Sequence, residues 1–312
     1  MSTAAVPDGW RPHGIWGAAM LPVTAAGEID FGALAEELDI LAASPLAGVY
    51  SNGTAAEFHN QSEDEFDRFS EMLAVAMRRA GKPFQIGCSN TNPRIARARL
   101  HRIKALRPDG VQITLPDWWP PSAAEQVRFV EGMAEAGAGL PMILYNPGHA
   151  KLRLTLEQIA TLRAAVPALV GAKLTGGDED WYAERRRLLP GFSVFVAGHT
   201  VAFGRPLGAD GAYSNVACLS PAAAVRIWDM AADDPAGAQA LEARFRAFLV
   251  AHVLPLAREH KISDAGLDKA MAAAGGWGPV GPRLLWPYSH ASDAQVAVLV
   301  AAARKMLPDF LG

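Results

Sequence analysis

The sequence predicts an α/β fold: a (β/α)8 TIM barrel with a C-terminal helical subdomain. Three observations lead there. Eight short, mostly apolar runs recur along the chain, each ending in small or polar residues. A stretch with helical spacing follows each run. After the eighth run the chain reads as helices alone, for longer than one barrel helix needs. Eight strand–helix units close most simply into a barrel of parallel strands. Such strands are covered on both faces, which is why apolar runs serve better than strict alternation.

The expected strands are GIWGAAM from Gly14, GVYSN from Gly48, FQIGCS from Phe84 and GVQIT from Gly110. PMILYN from Pro141, LVGAKL from Leu169, SVFVAG from Ser193 and GAYSN from Gly211 complete the set. Between the first two, Leu34, Leu38 and Leu41 repeat at helical spacing. Ser62 with Glu65, Ser122 with Glu125, and Thr155 with Gln158 each fit a capping box. Asn92 precedes Pro93, a residue suited to the first helical position. Further on, residues 222–232, 235–260, 266–274 and 292–307 read as helical, with GGWGPVGPRLLWP as a rigid break. We therefore expect residues 1–220 to form the barrel that carries the active site, and residues 221–312 to pack on it. The alternative, a doubly wound sheet, lacks the Gly-x-Gly-x-x-Gly turn after its first strand.

Composition narrows the function. Of the 312 residues, 50% are hydrophobic and 20% charged, which suits a globular core and excludes a mainly disordered chain. Twenty-nine basic residues against 32 acidic ones leave a net charge of −3, without the basic excess that phosphate attraction needs. No nucleic-acid partner is expected. Cys88 and Cys218 are too few for a disulfide framework or a four-cysteine zinc site. No apolar run is long enough to span a membrane, and MSTAAVPDGWRPHG has neither the basic start nor the apolar stretch of a signal peptide. A cytoplasmic protein without a membrane partner is the expectation.

In a TIM barrel the chemistry sits at the C-terminal strand ends. The sixth run ends in Lys173, with Gly171 on the same face, so an inward Lys173 would have open space beside it. Desolvation favours the neutral amine, a nucleophile toward carbonyls, although a paired or snorkelling lysine is the blander reading. The fifth run ends in Tyr145, whose hydroxyl can pass protons beside Lys173 or simply pack. The second run leads into Ser51-Asn52-Gly53-Thr54-Ala55-Ala56-Glu57, where consecutive N–H groups can face an anion and Thr54 adds a hydroxyl, or where the chain merely turns. Glu57, His59, His149 and His199 offer a metal-site alternative, and Glu57 with His59 can equally brace their loop. Trp118 and Trp119 after the fourth run would wall a pocket or lie under a loop or a subunit contact.

Together and in this order these residues resemble the dihydrodipicolinate synthase / N-acetylneuraminate lyase family of Schiff-base aldolases and dehydratases. Three motifs carry the resemblance: GTAAE at 53–57 is similar to a Gly-Thr-Thr-Gly-Glu loop, YNPG at 145–148 to Tyr-Asn-x-Pro, and VGAKLTGGD at 170–178 to a Gly-x-Lys segment. The resemblance implies that Lys173 forms an imine with pyruvate or another 2-oxo acid, with Tyr145 as acid and base and Thr54 in its proton relay. Gly53, Thr54 and Ala55 would hold the substrate carboxylate. Gly198, Tyr213, His149 and Trp118 would complete the substrate-binding set. No metal or diffusible cofactor is implied, and a homo-oligomer, dimer or tetramer, is.

The chain also departs from the family pattern. Ala55 stands where the synthases carry a second hydroxyl. Asp117-Trp118-Trp119 replaces their tyrosine pair, and Gly148-His149-Ala150-Lys151 lacks their arginine. The leading expectation is thus a Schiff-base lyase, aldolase or dehydratase. Synthase-type condensation of pyruvate with an aldehyde, a metal-dependent barrel enzyme and a non-catalytic 2-oxo acid binder are the alternatives.

Overall fold

The computed structural model describes residues 10–311. The first nine residues, part of the stretch read against a signal peptide, and Gly312 lie outside the described residues. Eight strands, β1 (Gly14–Ala18), β2 (Gly48–Ser51), β3 (Phe84–Gly87), β4 (Gly110–Ile113), β5 (Met142–Tyr145), β6 (Leu169–Lys173), β7 (Ser193–Ala197) and β8 (Gly211–Tyr213), close into a barrel in sequence order. Neighbours are parallel throughout, and β1 pairs with β8 to complete the ring. The TIM-barrel expectation holds, as do the strand starts, apart from a one-residue offset at β5.

The outer ring comprises α1 (Phe31–Ala43), α2 (Glu63–Ala80), α3 (Pro93–Ile103), α4 (Ala123–Ala136), α5 (Leu156–Ala165), α6 (Glu179–Leu188), α7 (Val201–Leu207) and α8 (Asn215–Leu219). Leu34, Leu38 and Leu41 of α1 are buried, as their spacing implies. The three capping boxes form at the starts of α2, α4 and α5, and Asn92 caps α3 ahead of Pro93. Each cap satisfies N–H groups that the first turn leaves without partners.

Past the barrel, α9 (Pro221–Asp233), α10 (Pro235–Phe248), α11 (Leu254–His260), α12 (Asp264–Gly275) and α13 (Asp293–Met306) follow. One hydrophobic core runs from Ile15 through the strands to Phe310, so these helices share the barrel's interior packing. The single helix expected over 235–260 is interrupted by a π-helical turn at Leu249–Val253. Pro255 explains it: proline has no N–H to donate and its ring crowds the preceding turn, which a wider turn relieves. No helix among the described residues is long and apolar enough to cross a membrane.

A buried ion pair fastens α12 to the loop after β2. Lys269 Nζ lies 2.9 Å from Glu57 Oε1, with both side chains almost fully buried. The second Glu57 oxygen accepts from the Leu285 N–H at 3.0 Å, and Lys269 also donates to the Arg283 carbonyl at 2.6 Å. Glu57 therefore braces its loop rather than holding a metal. Glu37 of α1 accepts from the Met20 N–H at 2.8 Å, and burial raises its pKa to about 8 against the opposing pull of Lys269. Removing one partner of a buried pair leaves an uncompensated charge. Lys269→Met should lower unfolding free energy by about 3–5 kcal/mol in urea titration, with Glu57→Gln/Lys269→Met less destabilised than the sum of the single changes. A Lys269→Met midpoint equal to wild type would contradict this role.

Candidate active site

Register and strand ends bring the three motifs together. Tyr145 and Lys173 are the last residues of β5 and β6 and sit side by side in the ladder. Two residues earlier the register slips, with Met142 opposite Leu169 but Ile143 opposite Gly171, so Val170 is the extra residue of a bulge. Bulges re-aim the side chains that follow. The space expected beside Gly171 is filled: a Cβ there would come within 2.9 Å of the Ser193 carbonyl oxygen on β7. Close strand packing, rather than room for a ligand, accounts for that glycine.

Lys173 is only 9% exposed and its ammonium makes one hydrogen bond, to the Tyr213 carbonyl at 3.1 Å. Its Nζ lies 5.8 Å from the Tyr145 ring centre. Burial is the main cause that pushes its pKa down to about 8, against the pull of Asp268 and Cys218. The amine is thus partly neutral near physiological pH, as a carbonyl nucleophile must be. Tyr145 is half-buried, and burial raises its hydroxyl pKa while a hydrogen bond with the Thr54 side chain opposes the rise.

Thr54 opens a short 3-10 turn, Thr54–Ala56, bounded by Asn52 and Glu57, both at φ +52° in the left-handed region. The bonds that close this loop are donated by the N–H groups of Ala56, Glu57 and Phe58, and those of Thr54 and Ala55 take no part in them. That is the arrangement an anion-binding loop requires.

The three side chains face one cavity of about 520 Å³. His149 and Tyr213 line it as well. The Tyr213 hydroxyl, however, is turned into the barrel toward Gln85, so its contribution to the site is the carbonyl that holds Lys173. Gly53, Ala55 and Gly198 lie behind the lining. A Cβ on Gly198 would fall 2.2 Å from Ser214 Oγ, a contact no real side chain makes. Trp118 is not brought to the cavity: it and Trp119 are 85% and 83% exposed.

The metal-site alternative is not assembled. Glu57 is taken by Lys269, His59 packs edge-on against Phe58 and Tyr288, and His199 meets Asn215. No three His, Cys, Asp or Glu side chains among the described residues are gathered where they could hold a metal ion.

The cavity is not carried by the barrel alone. Leu249 and Val253 of the π turn and Asp264, Leu267, Asp268 and Met271 of α12 form its outer wall. Sequence reading missed Asp268, together with Tyr50 and Cys218 of the inner wall. The one available sign was a charged Asp-Lys pair inside an otherwise apolar helical stretch.

The model of the Dihydrodipicolinate synthetase family matches residues 11–268. The chain belongs to that family. The 4-hydroxy-tetrahydrodipicolinate synthase of Thermosynechococcus vestitus is 28% identical over 293 residues, covering 91% of this chain and 94% of that protein. The N-acetylneuraminate lyase of Escherichia fergusonii is 27% identical over 203 residues, 64% of this chain and 67% of that one. A shorter match, 32% over 177 residues, spans 58% of the Nostoc punctiforme synthase. Among solved structures, the N-acetylneuraminate lyase of Aliivibrio salmonicida superposes with a TM-score of 0.83 at 16% identity, covering 97% of this chain and 99% of its own. YagE of Escherichia coli K12, solved with pyruvate, gives 0.80 at 23% identity, with 94% and 98% covered. These two share the fold. Membership of the dihydrodipicolinate synthetase family places the chain, at family level, among lyases and synthases of Schiff-base chemistry.

The tight approach of Gly198 to Ser214 carries a prediction. Gly198→Ala should cost about 1–3 kcal/mol in denaturant unfolding, because β7 and β8 must separate to admit the methyl group. An unchanged midpoint would contradict the packing described.

Proposed function

We propose that this protein is a Schiff-base-forming lyase, an aldolase or dehydratase, acting on a 2-oxo acid. One observation carries the reading: Lys173 stands buried in the cavity wall, in no ion pair among the described residues, with Tyr145 beside it. A neutral Lys173 amine adds to the ketone carbon of the substrate. The turn that Thr54 opens holds the substrate carboxylate, and Tyr145, beside Thr54, passes protons to and from the reacting carbon or hydroxyl. The protonated imine then accepts the electron pair released when a carbon–hydrogen or carbon–carbon bond breaks. The imine forms on the protein itself, so this chemistry calls for no diffusible cofactor.

The acceptor end favours a polar, uncharged tail such as that of a sugar acid. The basic side chains near it are engaged: His149 lies 3.4 Å from Asp264, Lys151 lies 3.3 Å from Asp117, and Arg246 is held by Glu242 and the His199 carbonyl. None is free to grip a second carboxylate, which weighs against condensation with an anionic aldehyde. An aromatic aldehyde would find no indole to stack on, since Trp118 lies outside the cavity lining. Assembly into a dimer or tetramer belongs to the same proposal, and a stable monomer in light scattering would remove that part.

Lys173→Ala should abolish turnover of 2-oxo sugar acids, and Tyr145→Phe should lower kcat by about 10²–10⁴. The amine must lose its proton to attack, so kcat/KM should fall as pH drops well below the Lys173 position of about 8. A substrate panel that leaves Lys173→Ala fully active would refute the assignment.

A further inference from the structure

We propose that Asp268 is a second catalytic acid of this cavity: it gives its proton to the hydroxyl that leaves the carbinolamine on Lys173, and stays as the counter-ion of the iminium. The inference rests on the Schiff-base reading above. It begins with the face that α12 turns to the barrel mouth. Asp264, Leu267, Asp268 and Met271, three and four residues apart, share one helical face and all line the cavity. Asp264 is at the exposed rim against His149. Asp268, Cys218 of α8 and Lys173 of β6 line the same cavity, and Lys173 acts on Asp268 electrostatically. Its chain neighbour Lys269 points away, to Glu57.

The fully buried acids among the described residues have structural duties, whereas Asp268 is partly buried and lines the cavity. Glu57 accepts from the Leu285 N–H, Glu37 from Met20 and Glu242 from Ala202. Asp268 caps no N–H and joins no ion pair among the described residues, and the Cys218 thiol near it donates to the Ser214 carbonyl. Beside Leu267 and Met271, a partly buried carboxyl with no ion pair gives up some of its hydration without a structural return. The ionisable groups that act on it are Asp264, Lys173 and Cys218, and it acts in turn on Tyr50 and Tyr145. Burial and Asp264 raise it to about 7 while Lys173 pulls the other way, so it still carries a proton near neutrality.

The step balances. The amine lone pair forms the C–N bond, the carbonyl pair moves to oxygen, and Tyr145 relays the nitrogen proton to that oxygen, giving the carbinolamine. The C–O bond then breaks with its electron pair leaving on oxygen, and the Asp268 proton completes a water molecule. The nitrogen lone pair closes the C=N bond. A neutral amine and a neutral acid become an iminium and a carboxylate, and the net charge of the buried cavity does not change. Solvation of a new isolated charge, the costly event in such a place, is avoided. Tyr145 is left free for the later proton transfers at carbon.

The test is the initial rate of cyanoborohydride trapping with pyruvate, followed by intact mass between about pH 5 and 10. Wild type should give a bell, limited on the acid side by the amine and on the alkaline side by the carboxyl. Asp268→Asn should be about 10–100-fold slower and lose the alkaline limb, rising with pH alone. Asp268→Glu should recover part of the rate with a displaced alkaline limb. Circular dichroism checks the fold; if Asp268→Asn is unfolded, Asp268→Glu decides, and an alkaline limb unmoved from wild type overturns the proposal. Asp268→Asn with the wild-type rate and bell, or slowed with the alkaline limb intact, also overturns it while leaving the Schiff-base reading standing. No adduct in the wild type with any 2-oxo acid overturns both.

Discussion

Desolvation of one amine organises this protein. An ammonium has three donors to satisfy, and Lys173 finds a single acceptor, the Tyr213 carbonyl. Among the described residues it joins no ion pair, so burial outweighs the pull of Asp268 and lowers its pKa. The barrel supplies the position, since a strand end is fixed on both sides by parallel neighbours while its last side chain enters the mouth. The helices beyond the barrel supply the dryness. Without the π turn and α12 over the mouth, Lys173 would meet water and behave as an ordinary lysine.

The two walls of the cavity depend on one buried contact. Glu57 follows Thr54 by three residues, at the end of the loop read as the carboxylate cradle. Lys269 is the residue after Asp268 on the opposing helix. Their ion pair therefore ties the floor of the site to its lid, and the Leu285 N–H adds the segment that follows α12. A pair of this kind contributes little net stability compared with apolar packing, but it penalises any arrangement that separates its members. That penalty keeps Thr54 and Asp268 on facing sides of a single chamber.

Much of this was legible in the residues because it is local. Capping boxes at Ser62, Ser122 and Thr155 involve side chains three positions apart, and they formed as read. Lys173, Tyr145 and Thr54 were legible as candidates because barrel chemistry sits at strand ends, and the structure brings all three to one cavity. What was not legible depends on how distant segments meet. Asp268 acquires meaning only when α12 folds back over β6. Trp118 and Trp119 read as pocket walls or as rings under a loop or a subunit contact, but nothing in DWW says which way a loop faces, and both rings stay at the surface of the chain. Gly171 was read as space for Lys173, when the neighbouring strand occupies that space. The break in the long C-terminal helix was foreshadowed by Pro255, a residue whose consequence the apolar spacing around it concealed.

The account stands on the neutral character of Lys173, and its titration tests that most directly. Carbon-13 labelling of lysine side chains, with the Lys173 signal assigned by its loss in Lys173→Arg, gives the midpoint in the resting protein without substrate or turnover. A midpoint near 8 is the result this structure predicts. A midpoint at about 10.4, the value of a solvated lysine, would mean that the amine is not desolvated, and the reading of the cavity as a Schiff-base site would lose its physical basis.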